Sequence, residues 1–268
     1  MTMTSSTALA AIALYFTAAG LMARELRRGR TGKRAALLLL GVGAVVCHVA
    51  GLWPRLVTPD GIQLGLFPVL SLVGATGAAL VILSCFWRPL EWISVLVFPL
   101  SALTVPPALW IQAGETASSL NHGLGAHVLL SILAYAVFAV AAAHALLMHV
   151  QHRQLKEGHI RGVMRVMPPV QVMEIMLFEM IWLGMVLLVA AIATGFVYVD
   201  DLFAQHLVHK TVLSLVALVV YGVLLGGRHL FGWRARTAVR MTLAGFALLV
   251  LAFFGSQLVL EYILERGA

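Results

Sequence analysis

Histidines are the residues in this sequence best suited to bind a metal ion or a haem iron. Neutral imidazole ligates both, and neighbouring helices can bring several imidazoles into a shared interior. Five of the ten histidines fall at one end of the predicted helices described below: His48, His122, His127, His206 and His209. This grouping indicates a ligand-binding site. The alternative is that these side chains lie in headgroup water and bind nothing.

The positions of four of these histidines are informative. His127 opens an apolar run that is long enough to span a bilayer. His48 lies in the last quarter of the second apolar run, residues 35–53. A polar side chain at that depth in a membrane usually faces the interior of a bundle. His206 and His209 are three residues apart and share one helix face if Gln205 already belongs to the helix. The sequence offers no third and fourth ligand beside them, so no zinc or dinuclear metal site is predicted.

Two carboxylates, Glu174 and Glu179, lie near the start of the sixth predicted span. A carboxylate at membrane depth is costly unless it is paired, and we predict structural pairing with Arg161, Arg165 or Arg88. A proton relay is the alternative, although no chain of acids continues through the membrane. The sequence contains no recognisable nucleophile elbow, phosphate-binding glycine loop or hydrolase pair of carboxylates, so the protein is not expected to be an enzyme.

The composition predicts an integral membrane protein. Hydrophobic residues make up 61% of the chain and charged residues 11%, with a mean hydropathy of +0.97. In a soluble domain, the hydrophobic share is nearer one half and the charged share nearer one quarter. Eight apolar runs are long enough to cross a bilayer as helices. They are residues 6–23, 35–53, 64–86, 92–111, 124–150, 171–198, 210–226 and 241–262. The predicted fold is therefore all-α, a polytopic transmembrane bundle of eight spans.

The loops between the runs are short, so residues 1–268 are expected to form one integral membrane domain. Residues 1–111 hold spans 1–4, and residues 112–268 hold spans 5–8. No basic segment precedes the first run, which is therefore interpreted as a retained span and not as a signal peptide. The formal charge of +7 is attributed to topology and to anionic lipid, and no nucleic-acid partner is expected.

The distribution of positive charge predicts the orientation of the spans. Of the 18 lysines and arginines, only Arg55, Lys210 and Arg266 lie outside the loops that follow spans 1, 3, 5 and 7. The positive-inside rule places those basic loops in the cytoplasm. Both termini, and the five grouped histidines, are then expected on the outer, periplasmic side.

The fifth loop, residues 151–170, has two interpretations. Ile160, Val163, Met164 and Met167 recur at helical spacing between basic residues, as in a helix that lies on the cytoplasmic membrane surface. The alternative is an ordinary basic linker.

Several motifs in the second half of the chain form a recognisable ordered set. They are His127 with Ser131 and the following Leu133-Ala134-Tyr135; Glu174, Phe178, Ile181 and Gly184; Thr194-Gly195; Lys210-Thr211; and Gly232-Trp233-Arg234. In this order they resemble the cytochrome c assembly proteins of the CcsA, CcmC and HemX type. In length and eight-span layout, the chain is similar to the YpjD-like inner membrane branch of that family.

The resemblance implies that the protein binds or handles haem non-covalently at the outer face of a bacterial inner membrane. The family histidine that precedes span 5 corresponds to His127, which is then one axial ligand. The second ligand is expected from His209, His206 or His48. The implied partners are the lipid bilayer, haem, and an apocytochrome or another protein of the assembly system.

The sequence departs from the family in the region expected to cover haem. Residues 198–209 contain no tryptophan, so the family's tryptophan-rich WWD segment is missing. Residues 208–211 replace the family's Asp-Pro-Lys-Glu entry to span 7, and Gly226 stands where an intramembrane histidine is expected. No histidine lies within residues 256–261, where the family has its second outer histidine.

These departures support an alternative from another functional class. The protein would then be a transporter or a transport-associated membrane component that keeps the fold without haem. The glycines of spans 2 and 3 and the prolines that predict a kink in span 4 fit this alternative, although close helix packing explains the glycines equally well. A further alternative is a b-type electron carrier that uses His149 and His229.

Overall fold

Eight long helices account for most of the chain in the computed structural model, which describes residues 3–28, 34–59, 61–88, 90–111, 117–118, 122–157, 167–198 and 205–258. The helices are α1 (Met3–Arg27), α2 (Arg34–Leu56), α3 (Leu66–Ser84), α4 (Ser94–Trp110, after the 3₁₀ turn Glu91–Ile93), α5 (His122–Lys156), α6 (Val170–Tyr198), α7 (Gln205–Phe231) and α8 (Ala235–Val250). Each is long and apolar enough to cross a bilayer, counting α4 with its 3₁₀ turn and α8 with the segment that follows it. The predicted all-α transmembrane fold is thus confirmed.

Several helices extend beyond the apolar runs that predicted them. Helix α5 continues to Lys156 and helix α7 begins at Gln205. A helix satisfies its own backbone hydrogen bonds, so it can continue through polar residues after the hydropathy signal has ended. Helix α8 continues as a π-helical segment, Leu251–Gly255, and a last turn, Ser256–Leu258.

A small antiparallel sheet joins two loops at one end of the bundle. Strands β1 (Val57–Thr58) and β2 (Gly61–Gln63) form a hairpin, and β3 (Ala117–Ser118) pairs with β2. Gly61 has a φ of 132°, which favours glycine at this turn. Strands of two or three residues are too short to produce a sequence periodicity, so the sheet was not predicted.

The helices pack as two groups of four. Helices α1–α4 contact one another, helices α5–α8 contact one another, and α3 packs against α5 to join the groups. In the second group, Phe138 of α5 stacks on Tyr221 of α7 with ring centroids 4.0 Å apart. Gly184 of α6 lies against the Phe138 ring, and Gly245 of α8 lies against the Tyr221 ring. Two glycines thus enclose an aromatic pair at the centre of four helices, which lets their backbones approach closely.

Both carboxylates of α6 are paired. Glu179 accepts a hydrogen bond from Arg88 at 2.9 Å, which confirms one of the predicted partners. Glu174 instead pairs with Arg228 near the end of α7 and accepts a bond from the backbone N–H of Ala235 at 3.2 Å. This ion pair therefore links α6, α7 and α8.

Residues 158–166 of the fifth loop lie outside the described part of the chain, and three predictions depend on them: the ion-pair partners of α6, the surface helix and the basic linker. The side chains of Arg161 and Arg165 were predicted partners for the carboxylates of α6, and neither is described. The amphipathic stripe through Ile160, Val163 and Met164 also lies there, and only Met167 of that stripe is described, as a buried residue. The surface helix and the basic linker both stay predictions.

Candidate functional site

A cavity of about 410 Å³ lies between α3, α5, α6, α7 and the segment that follows α8. Its walls are mostly apolar, with Val69, Ile132, Ile192, Leu215 and Phe254 among the side chains that line it. Among the described residues, its polar lining consists of His127, Ser131, Tyr135, Lys210, Thr211, Ser214 and Gln257. A mainly apolar cavity of this size with a few convergent polar groups is typical of a small-molecule site.

His127 is held in a defined orientation at the start of α5. Its Nδ1 lies 2.8 Å from the backbone carbonyl oxygen of Ala191 in α6. A carbonyl oxygen only accepts hydrogen bonds, so Nδ1 carries a proton, and in the neutral imidazole Nε2 is the nitrogen with the lone pair. Histidines that ligate metals are commonly fixed in this way, with the other ring nitrogen donating to a backbone carbonyl.

Gly195 provides the space that this imidazole occupies. A Cβ atom at position 195 would lie 3.1 Å from Cε1 and 3.2 Å from Nδ1 of His127. Gly195 follows Ala191 by one helical turn, so the hydrogen-bond acceptor and the gap for the ring lie on the same face of α6. The Thr194-Gly195 motif thus has a geometric role in placing His127.

Tyr135 crosses the cavity from α5 to α8. Its hydroxyl donates a hydrogen bond of 2.8 Å to the carbonyl oxygen of Leu249, just before the π-helical segment, and Ser214 of α7 lines the same cavity. Its ring makes edge contacts with Phe253 and Phe254. Single π-helical turns inside α-helices occur frequently at functional sites, and this one places both phenylalanines in the cavity wall.

Lys210 brings a cationic side chain to the same cavity from the first turns of α7. Its Nζ donates a hydrogen bond of 2.7 Å to Oε1 of Gln257. The same nitrogen lies 5.2 Å from the centroid of the Phe253 ring, within cation–π range. In the sequence, Lys210 was named in the charge distribution and in the Lys210-Thr211 motif but was given no role in a site, and Gln257, which belongs to no motif, was not singled out.

The other three predicted haem ligands, His209, His206 and His48, are not among the described side chains that line the cavity. The side chain of His209 is exposed and does not line the cavity. His206 belongs to the first turn of α7, as the predicted shared helix face with His209 requires, but its side chain is not among those described. His48 is buried between α1 and α3, where its ring contacts Tyr15 at 3.2 Å and Ser71 at 2.7 Å.

Helix α3 separates His48 from the cavity. Ser71, which bonds His48, is two residues from both Val69 and Val73, which line the cavity. Residues two apart on a helix point in nearly opposite directions. Of the histidine side chains that the structure describes, His127 alone therefore lines this cavity.

The two inner histidines considered for a b-type electron carrier are exposed in the structure. His149 lies on the surface of α5, and His229 lies beside Trp182 on the surface of α6, with ring centroids 6.4 Å apart. Within the described residues, no three histidine, cysteine, aspartate or glutamate side chains are grouped so as to hold a metal ion.

Comparison with known proteins identifies one family and a small number of relatives. The family model for the cytochrome c assembly protein matches residues 36–264. The inner membrane protein YpjD of Escherichia coli strain K12 is 31% identical over 96% of this chain and 98% of its own length. An uncharacterised 28.8 kDa protein in the nifR3-like 5′ region of Azospirillum brasilense is 33% identical over 52% of each chain. No solved structure matches the chain.

Proposed function

Because this chain belongs to the cytochrome c assembly protein family, we propose that it binds haem non-covalently in the cavity beside His127. The observation that carries the proposal is the orientation of the His127 imidazole, with Nδ1 bonded to the Ala191 carbonyl. In the neutral imidazole, Nε2 would then offer its lone pair to the haem iron. The bound haem would supply the iron centre and the cargo for delivery, while the chain holds and orients it.

The rest of the cavity suits a large apolar ring system. Aliphatic side chains from α3, α5, α6 and α7 and three phenylalanines, Phe196, Phe253 and Phe254, line it, and its volume lies within the range of small-molecule sites. Of the described lining residues, His127 is the one that would offer an imidazole to the haem iron. His206 and His209, in the first turn of α7, are retained as candidates for the second ligand.

The proposed setting is the outer half of the bacterial inner membrane. The basic residues that end α1, α5 and α7 lie at the helix ends opposite to those that contain His127 and Lys210, which under the positive-inside rule supports a cavity on the periplasmic side. An apocytochrome or another assembly protein would receive the haem there. The role is binding and delivery, and no catalytic residue is assigned to it.

We expect His127→Ala to abolish the haem spectrum of the protein. The test is the reduced-minus-oxidised absorption spectrum of the detergent-purified full chain, before and after addition of haem. Wild-type protein should give Soret and α bands, whereas His127→Ala should give only the spectrum of free haem. His149→Ala is the matched control, since His149 lies on the same helix with an exposed side chain, and it should retain the wild-type bands.

Two results would overturn the proposal. One is the absence of any haem-dependent signal in the wild-type protein, which would favour a transport role for the family fold. The other is a His127→Ala spectrum identical to that of the wild type, which would place the haem elsewhere. A change from low-spin to high-spin haem in His209→Ala or His206→Ala would identify the second ligand.

We expect Gly195→Ala to weaken haem binding roughly tenfold while the protein stays folded. The added methyl group would crowd the ring at 3.1 Å, so the imidazole must move by a few tenths of an ångström and its bond to Ala191 must lengthen. Changes to groups that orient a ligating histidine typically cost tenfold or more in affinity. Titration of the Soret band measures the affinity.

Gly125→Ala is the control for this substitution. Gly125 lies in α5, two residues before His127, and a Cβ atom there would meet nothing within 4 Å. Its haem affinity should equal that of the wild type. Equal affinities for Gly195→Ala and Gly125→Ala would show that the position of the His127 ring does not control binding.

A further inference from the structure

We propose that a second hollow of the bundle, which we call the inner groove, is a binding site for one molecule of phosphatidylethanolamine. The inner groove has a volume of about 270 Å³ and lies between α3, α5 and α6. Among the described residues, it shares no lining side chain with the cavity beside His127. The inference therefore goes beyond the proposed haem site and does not depend on it.

The walls of the inner groove are apolar and open toward lipid. Val137 and Val140 of α5 are buried and form its floor, and α3 and α6 both pack on α5. Leu83 of α3 and Leu183 of α6 line the groove with side chains that are about half exposed. In a bilayer such side chains contact acyl chains, which are as apolar as leucine. The groove thus suits a hydrocarbon chain.

An ion pair lies at one end of the inner groove. Arg88, which follows the end of α3, donates a hydrogen bond of 2.9 Å to Glu179 of α6, and both side chains line the groove. Trp87 also lines the groove and is largely exposed. Tryptophan rings and the charged ends of arginine side chains are typically found at the membrane–water interface. These residues therefore mark the end of the groove that lies at the level of the lipid headgroups.

The apolar part of the inner groove lies deeper in the membrane than the ion pair. Leu83 precedes Arg88 on a span that runs toward a basic loop, and Leu183 follows Glu179 on a span that runs away from one. Under the positive-inside rule, these loops are cytoplasmic. A phospholipid of the cytoplasmic leaflet has the same order, with its headgroup at the surface and its acyl chains deeper in the membrane.

The two charges of the ion pair are complementary to a headgroup that carries a phosphate and a primary ammonium. Phosphatidylethanolamine has both groups. The planar guanidinium of Arg88 suits the phosphate, to which arginine frequently donates two parallel hydrogen bonds. The Glu179 carboxylate can accept a charge-assisted hydrogen bond from the ammonium. Both side chains are about half exposed, so a headgroup can reach them while their mutual bond remains.

The same chemistry predicts which headgroups bind less tightly. Phosphatidylcholine has the phosphate, but its quaternary ammonium has no N–H group to donate to Glu179. Phosphatidylglycerol has the phosphate and no cation, so the Glu179 carboxylate repels it. We therefore expect phosphatidylethanolamine to bind about fivefold or more tightly than either of the other two lipids, since they lack one charge-assisted hydrogen bond.

The test is native mass spectrometry of the detergent-purified full chain, titrated with the dioleoyl forms of the three lipids. Identical acyl chains leave the headgroup as the only difference, and the fraction of protein with one lipid bound gives the affinity. Glu179→Gln should bind phosphatidylethanolamine about as weakly as phosphatidylcholine. Arg88→Gln should weaken the binding of all three lipids, because each presents a phosphate. Thermal melting of each variant confirms that the protein is folded.

Another ion pair provides matched controls. Arg153 and Glu157, at the end of α5, also pair at 2.9 Å with side chains that are at least half exposed, but neither lines the inner groove. Arg153→Gln and Glu157→Gln should keep the wild-type lipid preference. The groove itself is tested by Leu183→Trp, which narrows it and should weaken the binding of all three lipids. Val186→Trp, at an exposed position of α6 outside the groove, should leave binding unchanged.

Several results would overturn the inference. Equal affinities of the wild type for phosphatidylethanolamine and phosphatidylcholine, or a preference that survives in Glu179→Gln, would show that Glu179 does not recognise the headgroup. Tightest binding of phosphatidylglycerol would assign the groove to an anionic lipid. Equal effects of Leu183→Trp and Val186→Trp, or the absence of a complex with one lipid, would show that the groove is not the site. The haem spectrum is a separate measurement, so failure of this inference is distinguishable from failure of the proposed function.

Discussion

Arg228→Met is expected to lower the free energy of unfolding by about 3 kcal/mol, because it leaves the Glu174 carboxylate buried without its cationic partner. The Glu174 side chain is 9% exposed and the Arg228 side chain 30%. Arg228 also donates to the carbonyl oxygen of Trp233 at 3.2 Å and stacks over the Phe178 ring at 4.8 Å. The substitution thus removes an ion pair, a hydrogen bond and a cation–π contact from one junction of α6, α7 and α8.

The measurement is equilibrium unfolding of the purified protein in mixed micelles of increasing SDS content, and the control is Arg88→Met. Arg88 also pairs with a glutamate of α6, Glu179, at 2.9 Å, but both side chains of this pair are about half exposed. Exposed pairs contribute about 0–1 kcal/mol. Equal losses in the two variants would show that burial does not distinguish these two ion pairs.

One of the two ion pairs, Arg88 with Glu179, was predicted from the sequence and the other, Arg228 with Glu174, was not, and the difference has a physical cause. The need for partners follows from the cost of a carboxylate at membrane depth, which is a property of the sequence alone. The identity of the partner depends on how α6 and α7 are placed relative to one another. Arg228 is 54 residues from Glu174, and hydropathy gives no information about helix placement, so this partner was not predicted.

The positions of the spans were predictable because the bilayer imposes a length and a composition on each helix. All eight predicted runs overlap a helix of the structure. The helix ends were less predictable. Gly232, with a φ of 64°, ends α7 and makes the turn into α8, so that α8 begins at Ala235 instead of residue 241. A turn residue carries that information, and hydropathy averaged over a window does not.

The candidate site was predictable as a region but not as a set of contacts. His127 was singled out by its place at the start of an apolar run, and it does line the cavity. Whether His48 and His209 face the cavity depends on how α2 and α7 are rotated about their own axes. The predicted ends of a span give no information about this rotation. The rotation directs His48 toward Tyr15 and Ser71, and it brings Lys210 to the cavity while the adjacent His209 is exposed.

Gly184→Ala is expected to lower the free energy of unfolding by about 2 kcal/mol through overpacking. An added Cβ atom would lie 2.7 Å from Cε1 and Cζ of Phe138. The Phe138 ring is fully buried and cannot retreat, because the fully buried Tyr221 ring lies stacked behind it at 4.0 Å. Tyr221 in turn lies against Gly245, so the backbones of α6 and α8 enclose the pair. The same unfolding measurement in mixed micelles gives the effect.

Gly222→Ala is the matched control, because a Cβ atom at this position of α7 would meet nothing within 4 Å. Its stability should be unchanged or raised by up to about 1 kcal/mol, since alanine is the better helix former. A double-mutant cycle with Phe138→Leu then tests the cause. The smaller side chain makes room for the methyl group, so Gly184→Ala should cost less in that background. An equal cost in both backgrounds would mean that contact with the Phe138 ring is not what excludes a side chain at position 184.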